Sequence, residues 1–271
     1  MIKVSIIGKD SFIGRHLFDY LKNKNDITLS GTNKNELDIT LKSNIETYVK
    51  GNSPDVIILF AGSKDVKKLE EDISFADKIN VQPVKDFVDA IKKYSPATKF
   101  LYVSSDYVFD GKKGNYKESD TPCPNTVYGK NKIEVEDILK NSKIDYQIIR
   151  TAAVLGSGSV FLEWLLGELS NKNKVEMFEN SFFSPTPVDF LCEIFYEIIK
   201  NPPKEKIIHA VGEKRLSRFE LGKIIKNLIK SRAEIVPIEA NFKDLSLSQS
   251  DFIKKNQTKS FEEYLHGILK K

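Results

Sequence analysis

The residues with the clearest chemical potential are Tyr128 and Lys132, which stand four positions apart in the segment Tyr128-Gly129-Lys130-Asn131-Lys132. Because four residues make about one helical turn, the two side chains are expected on the same helix face. A phenol has a pKa of about 10, and a nearby ammonium lowers that pKa by favouring the phenolate. Such a pair can give a proton to a carbonyl oxygen while a nicotinamide delivers hydride to the carbonyl carbon.

A second polar cluster, Ser104-Ser105-Asp106, follows the predicted strand from Lys99 to Val103. The carboxyl ends of parallel strands are where open α/β sheets bind ligands. A serine hydroxyl at that edge can hydrogen-bond the same carbonyl oxygen. Serines at this position also cap strand ends, and we expect one of the two to do only that.

A glycine turn lies near the amino terminus, where Gly8 ends the first predicted strand and Gly14 falls in the first turn of the next helix. Such a turn aims backbone N–H groups and a helix amino end at a pyrophosphate. Ser11 occupies the place of the usual additional glycine, and its hydroxyl could donate to the phosphate. Two glycines after a strand can also simply shape a tight turn, so the motif alone leaves both interpretations open.

The choice of cofactor depends on the residues after the second predicted strand. An acidic residue there would bind the ribose 2′-hydroxyl of NAD, but no carboxylate precedes Glu36. Lys34 and Arg15 could instead face a 2′-phosphate, which weakly favours NADP(H) over NAD(H); the alternative is that both are solvated surface cations. Asp38 could cap the next helix or contact the adenine.

Short apolar segments alternate with segments of helical period in the first part of the chain. The predicted strands are Ile2 to Ile7, Ile27 to Ser30, Val56 to Phe60, Lys99 to Val103 and Ile144 to Ile149. The predicted helices between and after them are Phe12 to Lys24, Leu41 to Lys50, Val84 to Tyr94, Tyr128 to Lys140, Val160 to Ser170, Val188 to Lys200 and Arg218 to Lys230.

This alternation predicts an α/β fold with a Rossmann-type, doubly wound parallel sheet. The strands are continuously apolar rather than alternating, which fits a sheet covered by helices on both faces. We expect residues 1–150 to form an NAD(P)-binding core. Residues 151–271 are expected to form mainly a smaller substrate-binding lobe, with elements that return to the core.

Composition excludes several classes of protein. The 271 residues are 40% hydrophobic, which is enough for a packed core, and the formal net charge of +4 is too small to indicate nucleic-acid or membrane binding. The amino terminus lacks the form of a signal peptide, and no stretch approaches the roughly 20 apolar residues that span a bilayer, so we expect a cytoplasmic protein. Two cysteines and three scattered histidines predict neither a disulfide scaffold nor a metal site.

A longer block of sequence resembles a known family. It runs through Ser104-Ser105-Asp106-Tyr107-Val108-Phe109-Asp110-Gly111 and continues to Val127-Tyr128-Gly129-Lys130-Asn131-Lys132. With Arg150-Thr151 and Phe183-Ser184-Pro185-Thr186, it closely resembles the dTDP-4-dehydrorhamnose reductases. These are extended short-chain dehydrogenases/reductases that act on nucleotide sugars. The resemblance covers most of the chain.

The resemblance implies roles for individual residues. Tyr128 would be the general acid, Lys132 would tune it and bind the nicotinamide ribose, and Ser105 would stand where the family usually has threonine. Cofactor contacts would come from Gly8, Ser11, Phe12, Ile13, Gly14, Arg15, Lys34, Asp38, Ile39, Ala61, Gly62, Asn80, Ser104 and Lys132. Substrate contacts would come from Ser105, Asp106, Tyr107, Phe109, Tyr128 and Ala153.

The sequence departs from the family at positions that recognise the sugar and the nucleotide. Lys64-Asp65-Val66-Lys67-Lys68 stands where an acidic residue is common, and Ala152-Ala153 replaces an aromatic after Arg150-Thr151. The family's Arg-Pro pair is missing around Leu245-Ser246-Leu247. The reaction type is therefore better defined than the sugar.

Three functions remain in competition. The first is an NAD(P)H-dependent reductase of a nucleotide-linked 4-keto deoxy sugar. Such a reductase could assemble as a homodimer. The second is a nucleotide-sugar epimerase on the same fold; a dehydratase is disfavoured because Tyr107 stands where that class has a glutamate base. The third is a non-catalytic regulatory subunit resembling that of methionine adenosyltransferase.

Overall fold

The computed structural model describes residues 1–270, which form two compact units. The first unit comprises residues 1–109, 121–150 and 199–208. The second comprises residues 110–120, residues 151–198 and the chain from residue 209 onward. All residues of the predicted Tyr–Lys pair, the serine cluster and the glycine turn fall within the first unit.

A six-stranded sheet forms the centre of the first unit. Its strands are β1 (Ile2–Ile7), β2 (Ile27–Thr32), β3 (Val56–Leu59), β4 (Lys99–Ser105), β5 (Asp145–Thr151) and β10 (Ile207–His209), in the spatial order β10-β5-β4-β3-β1-β2. The pairs β1–β2, β1–β3 and β3–β4 are parallel, which confirms the predicted Rossmann-type sheet. Because β2 and β3 lie on opposite sides of β1, the strand order reverses there, and such switch points bind ligands in open α/β sheets.

Six helices complete the first unit. They are α1 (Phe12–Leu21), α2 (Lys42–Asn52), α3 (Val66–Glu71), α4 (Ile73–Asn80), α5 (Gln82–Tyr94) and α6 (Val127–Lys140). One hydrophobic core includes fully buried residues from the sheet and from α5, such as Ile57, Phe87 and Phe100. All four residues of β3 are buried, as the continuous apolar run predicted.

Shorter elements build the second unit. Its helices are α7 (Val160–Asn171), α8 (Val188–Lys200, whose last two residues belong to the first unit), α9 (Arg218–Ile229), α10 (Asp251–Asn256) and α11 (Phe261–Leu269). Its strands are β6 (Val154–Leu155), β7 (Lys174–Phe178), β8 (Ser181–Phe183), β9 (Thr186–Pro187), β11 (Leu216–Ser217), β12 (Glu234–Ile238) and β13 (Lys243–Asp244). These elements enclose a separate core around Leu165, Leu221 and Leu265. Within residues 1–270, no helix is long and apolar enough to cross a membrane.

Candidate active site at the carboxyl edge of the sheet

The glycine turn between β1 and α1 leaves no room for side chains. Gly8 has a φ of +89°, and a Cβ there would stand 2.7 Å from the backbone nitrogen of Ala61. A Cβ on Gly14 would stand 2.3 Å from the carbonyl oxygen of Gly8. Ser11 is the N-cap of α1, and its Oγ accepts a hydrogen bond from the Gly14 N–H at 3.1 Å. Since a hydroxyl that accepts still has its own proton to donate, this cap is compatible with a phosphate contact.

The loop after β3 lies against this turn and is held by Asn80. The Ala61 N–H donates to the Ile7 carbonyl at 3.0 Å, which ties the loop to the end of β1. The Asn80 side chain accepts from the Ser63 N–H at 2.8 Å and donates to the Ser63 carbonyl at 3.1 Å. Asn80 therefore fixes the backbone at Ser63, directly after Ala61 and Gly62, which are both predicted to face the cofactor.

An ion pair that the sequence did not predict links the turn after β1 to the segment after β2. Lys9 donates to the Glu36 carboxylate at 2.9 Å, and the Asn33 N–H donates to the same carboxylate at 2.8 Å. These bonds, led by the one from Lys9, lower the pKa of Glu36. Lys34 is exposed in this segment. The fold alone brings Lys9 to Glu36, because 27 residues separate them in the sequence.

Other predicted cofactor residues after β2 and on α1 divide between surface and core. Asp38 does not cap α2, contrary to one prediction: its carboxylate accepts from the backbone N–H and the hydroxyl of Thr40, and α2 begins after Leu41. Ile39 is buried in the first core. Arg15 is exposed, with its guanidinium 5.6 Å from the ring centre of Phe12. Ile13 lies beside Phe12 in the first turn of α1.

Helix α6 is fixed by contacts at its first turns. Thr126 caps it through its Oγ1, which accepts from the Gly129 N–H at 3.0 Å. The Glu70 carboxylate accepts from the Val127 N–H at 2.7 Å, and Asn131 donates to Asp77 at 2.8 Å. A Cβ on Gly129 would stand only 2.1 Å from the Tyr107 carbonyl oxygen, so the helix touches the turn that follows β4.

Tyr128 meets that turn, a single 3-10 turn at Asp106–Val108, through its ring and hydroxyl. The rings of Tyr107 and Tyr128 pack edge to face with centroids 5.7 Å apart. Burial and the charge of Asp106 raise the pKa of Tyr128 above its ordinary value, while a hydrogen bond with Ser105 lowers it. The net direction is opposite to the one predicted from the Tyr–Lys spacing, because desolvation outweighs any effect of the amine.

Ser105 stands at the end of β4 and is hydrogen-bonded on both sides. Its Oγ donates to Asp106 at 2.8 Å and accepts from the Tyr107 N–H at 3.2 Å. Asp106 itself is buried. The serine hydroxyl, the buried carboxylate and the Tyr128 phenol therefore form one polar cluster at the carboxyl edge of the sheet.

Lys132 points back toward the end of the same strand. Its ammonium donates to the Val103 carbonyl at 2.8 Å and lies 5.4 Å from the ring centre of Tyr128. Burial lowers the pKa of Lys132 to about 8, and the charge of Glu136 partly opposes this shift. The structure thus brings together Ser105, Tyr128 and Lys132, and burial holds the pKa of the lysine well below its ordinary value.

A buried ion pair lies beneath this cluster and was not predicted. Arg150, on β5, donates to the Glu136 carboxylate from Nε at 2.9 Å and from a terminal nitrogen at 2.6 Å. Ser104, predicted to contact the cofactor, donates to Glu136 at 2.7 Å and is buried. Phe109, predicted to contact substrate, is 1% exposed, with the Arg150 guanidinium 5.3 Å from its ring centre. The spacing of Tyr128, Lys132 and Glu136, four residues each, was the signal available in the sequence.

Ala153, predicted to contact substrate, belongs to the second unit, where it packs against the second core.

Trp164 on α7 is 46% exposed, and its ring centre lies 5.9 Å from that of Phe161, so it is not a core residue. The Arg218 guanidinium at the start of α9 lies 4.5 Å from the ring centre of Phe161 and 4.1 Å from that of Phe183. His209 is buried, and its Nδ1 lies 3.2 Å from the Ser248 carbonyl.

The fold and this site together define a class, the extended short-chain dehydrogenases/reductases: a Rossmann-type sheet, a glycine turn after β1, and a serine, tyrosine and lysine at the sheet edge. Within that class, the sequence profile of the RmlD substrate binding domain matches residues 2–250. The chain belongs to this family.

Several known proteins are similar to the chain over most of its length. The dTDP-4-dehydrorhamnose reductase of Aggregatibacter actinomycetemcomitans is 30% identical over 229 residues, which are 82% of this chain and 77% of that protein. The Bacillus anthracis dTDP-4-dehydrorhamnose reductase, solved in complex with NADP, superposes with a TM-score of 0.90 at 24% identity over 99% of both chains. Methionine adenosyltransferase 2 subunit beta of Xenopus tropicalis is 25% identical over 65% of this chain and 55% of that protein.

Proposed function

We propose that this chain is an NAD(P)H-dependent reductase of the 4-keto group of a nucleotide-linked deoxy sugar. The observation that carries the proposal is the cluster of Ser105, Tyr128 and Lys132 at the carboxyl edge of a sheet whose first turn is shaped for a pyrophosphate. The similarity to a protein named dTDP-4-dehydrorhamnose reductase supports the same class of substrate.

The turn after β1 fits a dinucleotide because its two glycines keep the backbone free of Cβ atoms at the start of α1. We assign the cofactor to the turn and its surroundings, with these contacts: Gly8, Ser11, Phe12, Ile13, Gly14, Arg15, Lys34, Asp38, Ile39, Ala61, Gly62, Asn80, Ser104 and Lys132. When bound, the nicotinamide supplies the hydride.

The protein's own residues supply the proton. Because burial and Asp106 raise the pKa of Tyr128, its phenol keeps its proton at neutral pH and gives it up only to a stronger base. The oxygen of a carbonyl becomes such a base as hydride reaches the carbon. Ser105 turns its hydroxyl proton from Asp106 to donate a hydrogen bond to that oxygen, and the Lys132 ammonium stabilises the phenolate that remains. The product is an alcohol that carries the hydride on carbon and the Tyr128 proton on oxygen.

Substrate contacts are proposed for Asp106, Tyr107, Phe109 and Ala153 in addition to Ser105 and Tyr128. The division of labour between residues 1–150 as cofactor-binding core and residues 151–271 as substrate-binding lobe belongs to the same proposal. A homodimer and a cytoplasmic location remain predictions from the sequence.

The direct test is oxidation of NADPH, followed by absorbance, with a panel of dTDP-, UDP- and GDP-linked 4-keto-6-deoxy sugars. We expect turnover with at least one of them and one alcohol formed for each NADPH consumed. Interconversion of sugar epimers without net loss of NADPH would instead identify an epimerase. Tight nucleotide binding with no turnover on any sugar would instead favour a non-catalytic regulatory subunit. The similarity to methionine adenosyltransferase 2 subunit beta is the reason to test this alternative.

A preference for NADP(H) is the finer part of the proposal, and it depends on Lys34 and Arg15. Both side chains are exposed, Arg15 on α1 next to the glycine turn and Lys34 after β2, and a cation can bind a 2′-phosphate through charge-assisted hydrogen bonds. We expect NADPH to bind more tightly than NADH, and Lys34→Ala or Arg15→Ala to weaken NADPH binding selectively. Lys22→Ala, at an exposed lysine paired with Asp19, is the matched control. Tighter binding of NADH to the unmodified protein would contradict this assignment.

A further inference from the structure

Glu136 is a charged group that the proposed chemistry does not use. It is fully buried on α6, one helical turn beyond Lys132 and two turns beyond Tyr128. Its carboxylate accepts two hydrogen bonds from Arg150 and one from Ser104. A buried ion pair contributes little to stability on its own because desolvation offsets the attraction. Stability alone therefore does not explain why this pair is buried here.

Lys132 and Glu136 both contact the end of β4. Lys132 donates to the Val103 carbonyl, and Glu136 accepts from the side chain of Ser104, the next residue of β4. The two side chains therefore leave the same face of α6 and reach consecutive residues of one strand. Ser105, whose hydroxyl belongs to the polar cluster, follows directly. Along α6, Lys132 therefore lies between Tyr128, one turn before it, and the buried carboxylate of Glu136, one turn after it.

We propose that Glu136 is a positioning residue, whose carboxylate, held by Arg150 and Ser104, keeps Lys132 in its ammonium form beside Tyr128. The proposal deepens the proposed function and rests on it for its biological meaning. Without the carboxylate, burial would favour a neutral amine, and the phenolate left by proton transfer would lose its counter-charge.

Other charged or titratable groups near Lys132 do not supply this charge. Tyr102 of β4 has its ring centre 4.6 Å from the ammonium, and burial raises the pKa of its phenol, which stays neutral. The charge of Asp106 raises the pKa of Tyr128. The pKa of Lys132 is lowered by burial and raised by the charge of Glu136. The helices packed on α6 direct their charges elsewhere: Glu70 of α3 to the Val127 N–H, Asp77 of α4 to Asn131, and Lys85 of α5 to Glu134.

The test is a direct titration of the Lys132 amine by NMR in protein labelled with ¹³C at the lysine ε-carbons, with the signal assigned by its loss in Lys132→Met. In the unmodified protein we expect a midpoint at a pH of about 8. Glu136→Gln should lower this midpoint by about 0.5–1 pH unit. Glu134→Gln, the same change on the exposed face of α6, should leave it unchanged.

Glu136→Gln removes the carboxylate that is paired with the buried Arg150, so a second variant guards against loss of folding. Glu136→Gln combined with Arg150→Met removes both charges, and the loss of the arginine alone would raise the midpoint. The midpoint of Glu136→Gln is compared with that of the unmodified protein, and the midpoint of the double variant with that of Arg150→Met, so that each comparison differs only in the carboxylate. A lower midpoint without the carboxylate supports the proposal, and an unchanged or higher midpoint overturns it. Because the titration needs neither cofactor nor sugar, it stands even if the unmodified protein turns over no nucleotide sugar, an outcome that would refute only the proposed function.

Discussion

At Tyr128, burial and a neighbouring carboxylate keep the proton on the phenol, which is the state a general acid needs before transfer. Tyr128→Phe removes that proton and keeps the ring that packs edge to face on Tyr107. We expect kcat for sugar reduction to fall about 10²–10⁴-fold, with little change in the thermal midpoint. Tyr94→Phe, at the end of α5 and before β4 begins, is the control. A Tyr128→Phe protein that retains its rate would remove this residue from the chemistry.

Lys132 makes activity depend on pH in a direction that follows from its lowered pKa. Since the proposed role needs the ammonium, kcat/KM measured with NADPH should fall as the pH rises through about 8. The exposed lysine of the same helix provides the control, because Lys130→Met should leave this limb in place. A kcat/KM that stays constant from about pH 7 to about pH 9.5, a range that spans the lowered pKa of Lys132, would contradict this role for the ammonium.

The same shift has a consequence for stability that needs no substrate. An unfolded lysine has a pKa of about 10.4, above that of the folded protein, so the unfolded chain binds more protons between these two values. The contribution of Lys132 to the free energy of unfolding therefore rises as the pH increases from about 8 toward 10.4. Lys132→Met should lack this rise in denaturant titrations.

Among the elements, α6 depends most on a single small residue. A methyl group at Gly129 would collide with the Tyr107 carbonyl and force the helix away from the turn after β4. We expect Gly129→Ala to lower the free energy of unfolding by about 1–3 kcal/mol and to reduce turnover, because Tyr128 and Lys132 move with the helix.

Gly167 in α7 is the matched control for this substitution. No atom lies within 4 Å of the place that its Cβ would take. Gly167→Ala should therefore stabilise the protein by about 0.5–1 kcal/mol, the usual gain for alanine within a helix. Comparable effects of the two substitutions in denaturant unfolding would show that backbone contact at Gly129 does not decide the outcome.

The main elements of the first unit could be predicted from the sequence because each has one clear apolar pattern. The strands are continuous apolar runs, and the helices carry apolar residues at helical spacing. The strands and helices predicted there lie within a few residues of those observed. Helices α3 and α4 were missed because they have six and eight residues and each buries only one, Leu69 or Ala76, which leaves no apolar stripe. Asp65 and Asp72, which cap them, were the available signals.

The site was accessible to sequence reasoning only where its residues are close in the chain. Tyr128 and Lys132 share one helix, so their spacing alone predicted that they meet. Glu136 and Arg150 belong to a helix and a strand, and their pairing depends on how α6 crosses the sheet. The direction of the Tyr128 pKa was wrong because burial, which dominates it, cannot be read from spacing.

For the molecule as a whole, each unit has a hydrophobic core of its own, so ligand binding adds to stability through the unit that holds the ligand. NADPH at about 100 times its Kd should raise the free energy of unfolding by about 2.7 kcal/mol. Gly8→Ala should remove about 1.4 kcal/mol or more of this gain, a tenfold loss of affinity, because φ at Gly8 is +89° and a Cβ would stand 2.7 Å from Ala61. Gly51→Ala, with no atom within 4 Å of its Cβ, should retain the full gain. Equal gains for the two variants in thermal unfolding with and without NADPH would place the cofactor away from the turn after β1.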